Sequence, residues 1–130
     1  MKVLVVDGDT AVRSSTVELI RGWGHDADSS ATGRETLEKV QHDVFDLALL
    51  DIDLQDISAK ELIGKLKDLS PKIGIVTMTE QSADELEKQI RTLGIIYYMC
   101  KPINEKALKE IIDHMSKKRT FEGVGKSLIG

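Results

Sequence analysis

One cysteine in 130 residues leaves no internal disulfide and no cysteine-based zinc site. A chain with neither fits a reducing, cytoplasmic setting. Basic excess is also missing. Eighteen Lys and Arg face 22 Asp and Glu, and the net charge of -4 argues against a direct grip on nucleic acid. No apolar run is long enough to span a bilayer. The opening run follows a single lysine and stops at Asp7, so it reads as neither signal peptide nor membrane anchor. What is present, 41% hydrophobic and 31% charged residues, describes one soluble domain able to bury a substantial core.

Two periodicities alternate along the chain. Near-continuous runs of Val, Ile and Leu lie at Val3–Val6, Leu47–Leu50, Ile73–Val76 and Ile95–Met99, as strands buried on both faces require. A fifth, more polar candidate at His25–Ser30 suits a sheet edge. Between them, apolar residues recur at helical spacing: Val12, Thr16, Ile20 and Trp23; Leu62, Leu66 and Leu69; Leu86, Ile90 and Leu93; Leu108, Ile111, Ile112 and Met115. Capping boxes pair Thr32 with Glu35, Ser58 with Glu61 and Ser82 with Glu85, and Asn104 is a fourth candidate cap. The order βαβαβαβαβα predicts an α/β fold, a doubly wound parallel sheet with helices on both faces. From about Lys117 the pattern ends. The basic, glycine-containing stretch 119–130 reads as a linker or tail, as if trimmed from a longer protein. Its GVGKS lacks the earlier glycine of a phosphate loop, and no strand precedes it.

In such sheets ligands bind beyond the carboxyl ends of the strands. The residues just past the apolar runs are Asp7, Gly8 and Asp9, then Asp51 and Asp53, then Thr77, Thr79 and Glu80, then Lys101 before Pro102. Carboxylates that cluster repel one another unless a cation joins them, and Mg²⁺ accepts one or two carboxylates together with phosphate oxygens and water. A carboxylate can also attack phosphorus, with a lysine and a hydroxyl stabilising the product. Taken singly, each residue has a plainer reading: Asp7 and Asp9 as strand end and helix cap, Asp53 and Glu80 as solvated loop residues, Tyr98 as a strand aromatic with Tyr97 on the other face. Cys100 reads as a small core residue, and His25, His42 and His114 share no ligand spacing.

VLVVDGDTAVR, LALLDIDL, Thr79 and Lys101-Pro102 together resemble the receiver domains of two-component response regulators, over residues 1–118. The resemblance implies a flavodoxin-like (βα)5 sheet of order 2-1-3-4-5, and it implies a signalling switch rather than an enzyme. It makes Asp51 the phosphoacceptor, Thr79 the switch hydroxyl, Lys101 the phosphate contact and Tyr98 the aromatic that changes rotamer. It implies a Mg²⁺ ion held by Asp7, Asp51 and the backbone carbonyl of Asp53, with Asp9 as a further candidate, and a cis Lys101–Pro102 bond. The phosphoryl donor would be a sensor histidine kinase or a phosphotransfer protein. The responding surface, also a candidate homodimer face, would be the helix at 82–93, the last strand and the helix at 104–117.

Three places in the chain depart from that pattern. Gly8 stands where a second acid is expected and should weaken metal binding. The loop after Asp51 carries Gln55, Ser58 and Ala59 in place of a proline and an Asp-Gly pair, and Glu80 replaces a small residue. Two other readings therefore stay open. One is a degenerate receiver serving as a phosphorylation-independent interaction module. The other, from DGDT and DIDL, is a haloacid-dehalogenase-like phosphatase.

Overall fold

The structure, a computed structural model, describes residues 1–129, with side chains through Lys118. The apolar runs become five strands, β1 (Lys2–Val6), β2 (Asp26–Ser30), β3 (Leu47–Asp51), β4 (Gly74–Thr79) and β5 (Tyr97–Cys100). Five helices alternate with them: α1 (Thr10–Gly22), α2 (Gly33–His42), α3 (Ala59–Leu69), α4 (Asp84–Arg91) and α5 (Glu105–Ile129). Every pairing is parallel and the strand order is β2-β1-β3-β4-β5. The polar strand lies at an edge, as its composition predicts. The chain reverses its winding between β1 and β3, which puts the ligand crevice of a doubly wound sheet at their carboxyl ends.

Alternation along the strands splits the core in two. Val3, Val5, Leu47, Leu49, Val76 and Met78 pack with Val17 and Ile20 of α1 and Leu108 and Ile112 of α5. Leu4, Val6, Ala48, Leu50 and Ile75 pack on the other face with Val40 of α2 and Leu62, Ile63 and Leu66 of α3. Both layers are needed to bury strands that are apolar on both sides.

Three helix starts follow the sequence closely. Thr32 accepts from Glu35 N, Ser58 from Glu61 N and Asn104 from Ala107 N. The fourth differs. The N-cap of α4 is Ala83, which makes no side-chain cap bond, whereas the Ser82 hydroxyl lies 3.0 Å from the Tyr98 hydroxyl. Tertiary bonding to a buried phenol has displaced a local cap. Leu69 is exposed although it continues the α3 stripe, because the helix ends there. Cys100 is exposed rather than packed, since β5 is an edge strand that ends at that residue. Tyr97 and Tyr98 face opposite sides, 42% and 4% exposed. The stretch from 119, expected as linker, continues α5 to Ile129, and its side chains lie outside the described residues.

Thr77 in the middle of β4 is fully buried and its hydroxyl has no hydrogen-bond partner. Such a group keeps the desolvation cost without the bond that would offset it. Thr77→Val preserves shape and is expected to stabilise the fold by about 1 kcal/mol, read as a higher urea midpoint at unchanged slope.

Candidate functional site

The carboxyl ends of β1 and β3 deliver two aspartates in the same local geometry. Asp7 Oδ1 accepts the N–H of Asp9 at 2.9 Å, and Asp51 Oδ1 accepts the N–H of Asp53 at 2.9 Å. Each is an Asx-type turn, in which a carboxylate bonds the backbone two residues on. This frees each Oδ2 to face the crevice, where Lys101 meets both. Its Nζ lies 2.8 Å from Asp7 Oδ2 and 3.0 Å from Asp51 Oδ2. Asp7 is 1% exposed and the Lys101 side chain 10%, so this is a largely desolvated triad. The contact to Asp7 is ionic without directed hydrogen-bond geometry, and Asp7 Oδ2 has no hydrogen-bond partner.

Supporting groups hold these turns. Asp7 N–H donates to Ser30 O at 3.1 Å, and Arg13 Nη1 donates to Asp7 O at 2.8 Å. Asp9 Oδ1 accepts from Ala11 N and Val12 N, so it caps α1. The loop after Asp51 is tied down by Asp56, whose two carboxylate oxygens accept from Gly33 N and Arg34 N at 3.0 Å each. A Cβ on Gly33 would fall 2.1 Å from Ile57 Cγ2, so a side chain there would force Ile57 to move. Arg13 and Asp56 escape sequence reading, because their partners are backbone groups brought near only by the fold. The Lys101–Pro102 peptide is cis, as the resemblance implies.

Thr79, at the end of β4, is fully buried beside the triad. Its hydroxyl donates to the Asp53 carboxylate, 2.9 Å from Oδ2. The site thus unites Asp7, Asp51, Thr79 and Lys101, whereas Tyr98 sits a strand away with its hydroxyl on Ser82. Asp53, expected to contribute its carbonyl, engages Thr79 through its side chain.

Burial pushes the Asp51 carboxyl above its ordinary range. The Asp53 N–H and the Lys101 ammonium offset this only in part, and the Asp7 charge adds to it. Burial disfavours the charge on Lys101, but the Asp7 and Asp51 carboxylates outweigh it and hold the ammonium above its usual value. Two carboxylates and one ammonium leave the pocket one negative charge in excess. This oxygen-rich, under-neutralised set, with a buried Asp7 oxygen lacking a hydrogen bond, fits a hard divalent cation. Among the described residues no group of three His, Cys, Asp or Glu converges on one point, and Gly8 marks the absent member.

A carboxyl raised in the folded state stabilises the fold below its unfolded pKa, and that stability is lost as pH rises through the folded value. At neutral pH ionised Asp51 therefore costs stability. Asp51→Asn is expected to stabilise the fold at pH 7 by on the order of 1 kcal/mol. The gain should fade as pH falls and the aspartate itself takes up its proton, in denaturant melts run across pH.

The geometry agrees with the comparisons. A family model described as the response regulator receiver domain matches residues 3–113. Transcriptional regulatory protein ZraR of Escherichia coli (strain K12) is 32% identical over 102 residues, 78% of this chain. The chain spans only 23% of that relative's length. Sporulation initiation phosphotransferase F of Bacillus subtilis (strain 168) is 25% identical over 116 residues, 89% of this chain and 91% of that protein. Among solved structures, a CheY-like response regulator receiver domain protein from Methanospirillum hungatei JF-1 is 30% identical with a TM-score of 0.83. That likeness covers 92% of this chain and 96% of the other. The matching strand order, the acidic strand ends and the lysine between them make this chain a member of the response regulator receiver domains of two-component systems.

Proposed function

We propose that Asp51 accepts a phosphoryl group from a phosphohistidine on a sensor kinase or phosphotransfer protein, and that the change is read by an output domain or partner. The observation that carries this reading is the Asp51 carboxylate in a desolvated crevice, 3.0 Å from the Lys101 ammonium and on the strand beside Thr79. In the transfer, an Asp51 oxygen forms a bond to phosphorus as the bond from phosphorus to the donor imidazole nitrogen breaks. The imidazole keeps that electron pair and is left to take up a proton. Lys101 offsets the charge of the acyl phosphate, and Asp7 keeps Lys101 in place.

Asp7, Asp51 and the Asp53 carbonyl are the groups that would hold Mg²⁺, which when bound would neutralise phosphate oxygens. Asp9 Oδ1 is engaged as the cap of α1, which speaks against that role for it. Those bonds, and the engagement of Asp53 by Thr79, speak against either Asp-x-Asp pair serving as the paired acids of a phosphatase. Among the described residues no helix is long and apolar enough to cross a membrane. The surface formed by α4, β5 and α5 exposes Tyr97, and it is the proposed responding and dimerising face.

Acetyl phosphate with saturating Mg²⁺ is expected to add one phosphoryl mass to the chain and none to Asp51→Asn. Lys101→Met should slow labelling about 100-fold. No gain in mass on the wild-type chain would leave the constitutive interaction module as the better reading.

Gly8 has no left-handed φ, and a Cβ there would meet nothing closer than Ala31 O at 3.9 Å. Gly8→Asp should therefore fold normally and bind Mg²⁺ on the order of 10-fold more tightly, measured by calorimetric titration.

A further inference from the structure

The two donors that close the crevice on the β4 side are both already engaged. Thr79 Oγ1 donates to the Asp53 carboxylate, 2.9 Å from Oδ2 and 3.2 Å from Oδ1. The backbone N–H of Glu80 donates to the same Oδ2 at 3.1 Å. The Thr79 oxygen in turn accepts from Gln81 N at 3.2 Å, which directs its one proton toward Asp53. Asp53 is anchored on its other side, because its own N–H donates to Asp51 Oδ1 at 2.9 Å. Asp53 is exposed, so burial does not force its carboxylate onto these donors. The donors draw it there.

A hydroxyl and an adjacent N–H converging on one oxygen of an anion form a small receptor for a group with several acceptor oxygens. The phosphoryl group on Asp51, under the function proposed above, is such a group and would arise on the residue to which Asp53 is tethered. Thr79 has one proton and Glu80 one amide hydrogen, so the two anions cannot both be served.

We propose that the Asp53 carboxylate is an internal stand-in for the phosphoryl group. It occupies the Thr79 hydroxyl and the Glu80 N–H in the unphosphorylated chain, and it must leave them before a phosphorylated Asp51 can use them. Asp53 is then a positioning residue that sets how readily the acyl phosphate is accepted and kept. Its negative charge opposes the incoming anion as well as competing for donors. The inference rests on Asp51 being the phosphoacceptor.

The test uses the ¹⁵N-labelled full chain and beryllofluoride, an acyl phosphate mimic, at saturating Mg²⁺. Wild type is compared with Asp53→Asn and Asp53→Ala, with spectral dispersion confirming that each is folded. In the unliganded Asp53→Ala protein the Glu80 amide resonance is expected to move upfield as its carboxylate partner is lost. The same variant should bind beryllofluoride on the order of 10-fold more tightly than wild type. Asp53→Asn, an uncharged acceptor, should fall between. A Glu80 amide that does not move, or equal or weaker affinity in Asp53→Ala, overturns the inference alone. Failure of all three proteins to bind beryllofluoride, with the Glu80 amide still shifting, overturns the phosphoacceptor reading and the competition together.

Discussion

The crevice depends on one ammonium placed between two buried carboxylates. Asp7 and Asp51 end adjacent parallel strands, so the sheet that buries their flanking residues also forces their charges together. Without a cation between them the two would repel at low dielectric, and one would have to be protonated or the strand ends would part. Lys101 supplies that cation from a third strand, with Nζ within 3.0 Å of both. The arrangement is marginal by construction. It stabilises the folded chain less than apolar groups of the same shape would, and leaves negative charge uncompensated. A structure that needed only to be stable would not keep it, and that residual charge is what makes the site chemically responsive.

The parallel sheet explains why the reacting groups can be so far apart in sequence. Asp7, Asp51, Thr79 and Lys101 belong to the ends of four strands, and each is followed by a turn that directs it over the sheet edge. The two Asx-type turns do this for the aspartates without using a crevice-facing oxygen. The loop after β3 has no proline to stiffen it. Asp56 on the first amides of α2, together with Ile57 against Gly33, takes over that duty. A loop that looks weakened in sequence is fastened by a tertiary contact.

Much of this was legible before any coordinates. Continuous apolar runs announce strands covered on both faces, and period and topology then place Asp7, Asp51, Thr79 and Lys101 at one end of the sheet. Capping residues mark three of the helix starts. The misreadings share a cause. Ser82 looks like a cap because its local spacing to Glu85 is right, yet its hydroxyl meets the Tyr98 phenol, a partner 16 residues away. Asp53 is exposed, as its loop position suggests, yet nothing nearby in sequence announces its bonds to Thr79 and Glu80, which come from the next strand. Cys100 looks like core because its composition is apolar, but the strand that carries it borders no further strand. Local pattern fixes where backbone goes. Which long-range donor a small polar side chain selects is decided only after the strands have assembled.

The same reasoning shows why Gly8 leaves the architecture intact. The strand ends are joined by Lys101 and by backbone N–H groups, none of which needs a side chain at position 8. A second acid there would raise the negative charge of a crevice already in excess by one. Its cost in the metal-free protein and its benefit with a divalent cation bound are two sides of one charge. Glycine at that position spares the crevice this charge, and under the proposed Mg²⁺ binding it would weaken the loaded site without disturbing the fold. Asp53 acts in the opposite sense. Its carboxylate lies on the donors rather than between the aspartates, and it adds charge where a phosphoryl group would arrive. Under the proposed phosphorylation of Asp51, both positions would weigh against the phosphorylated crevice while every element that builds it stays in place.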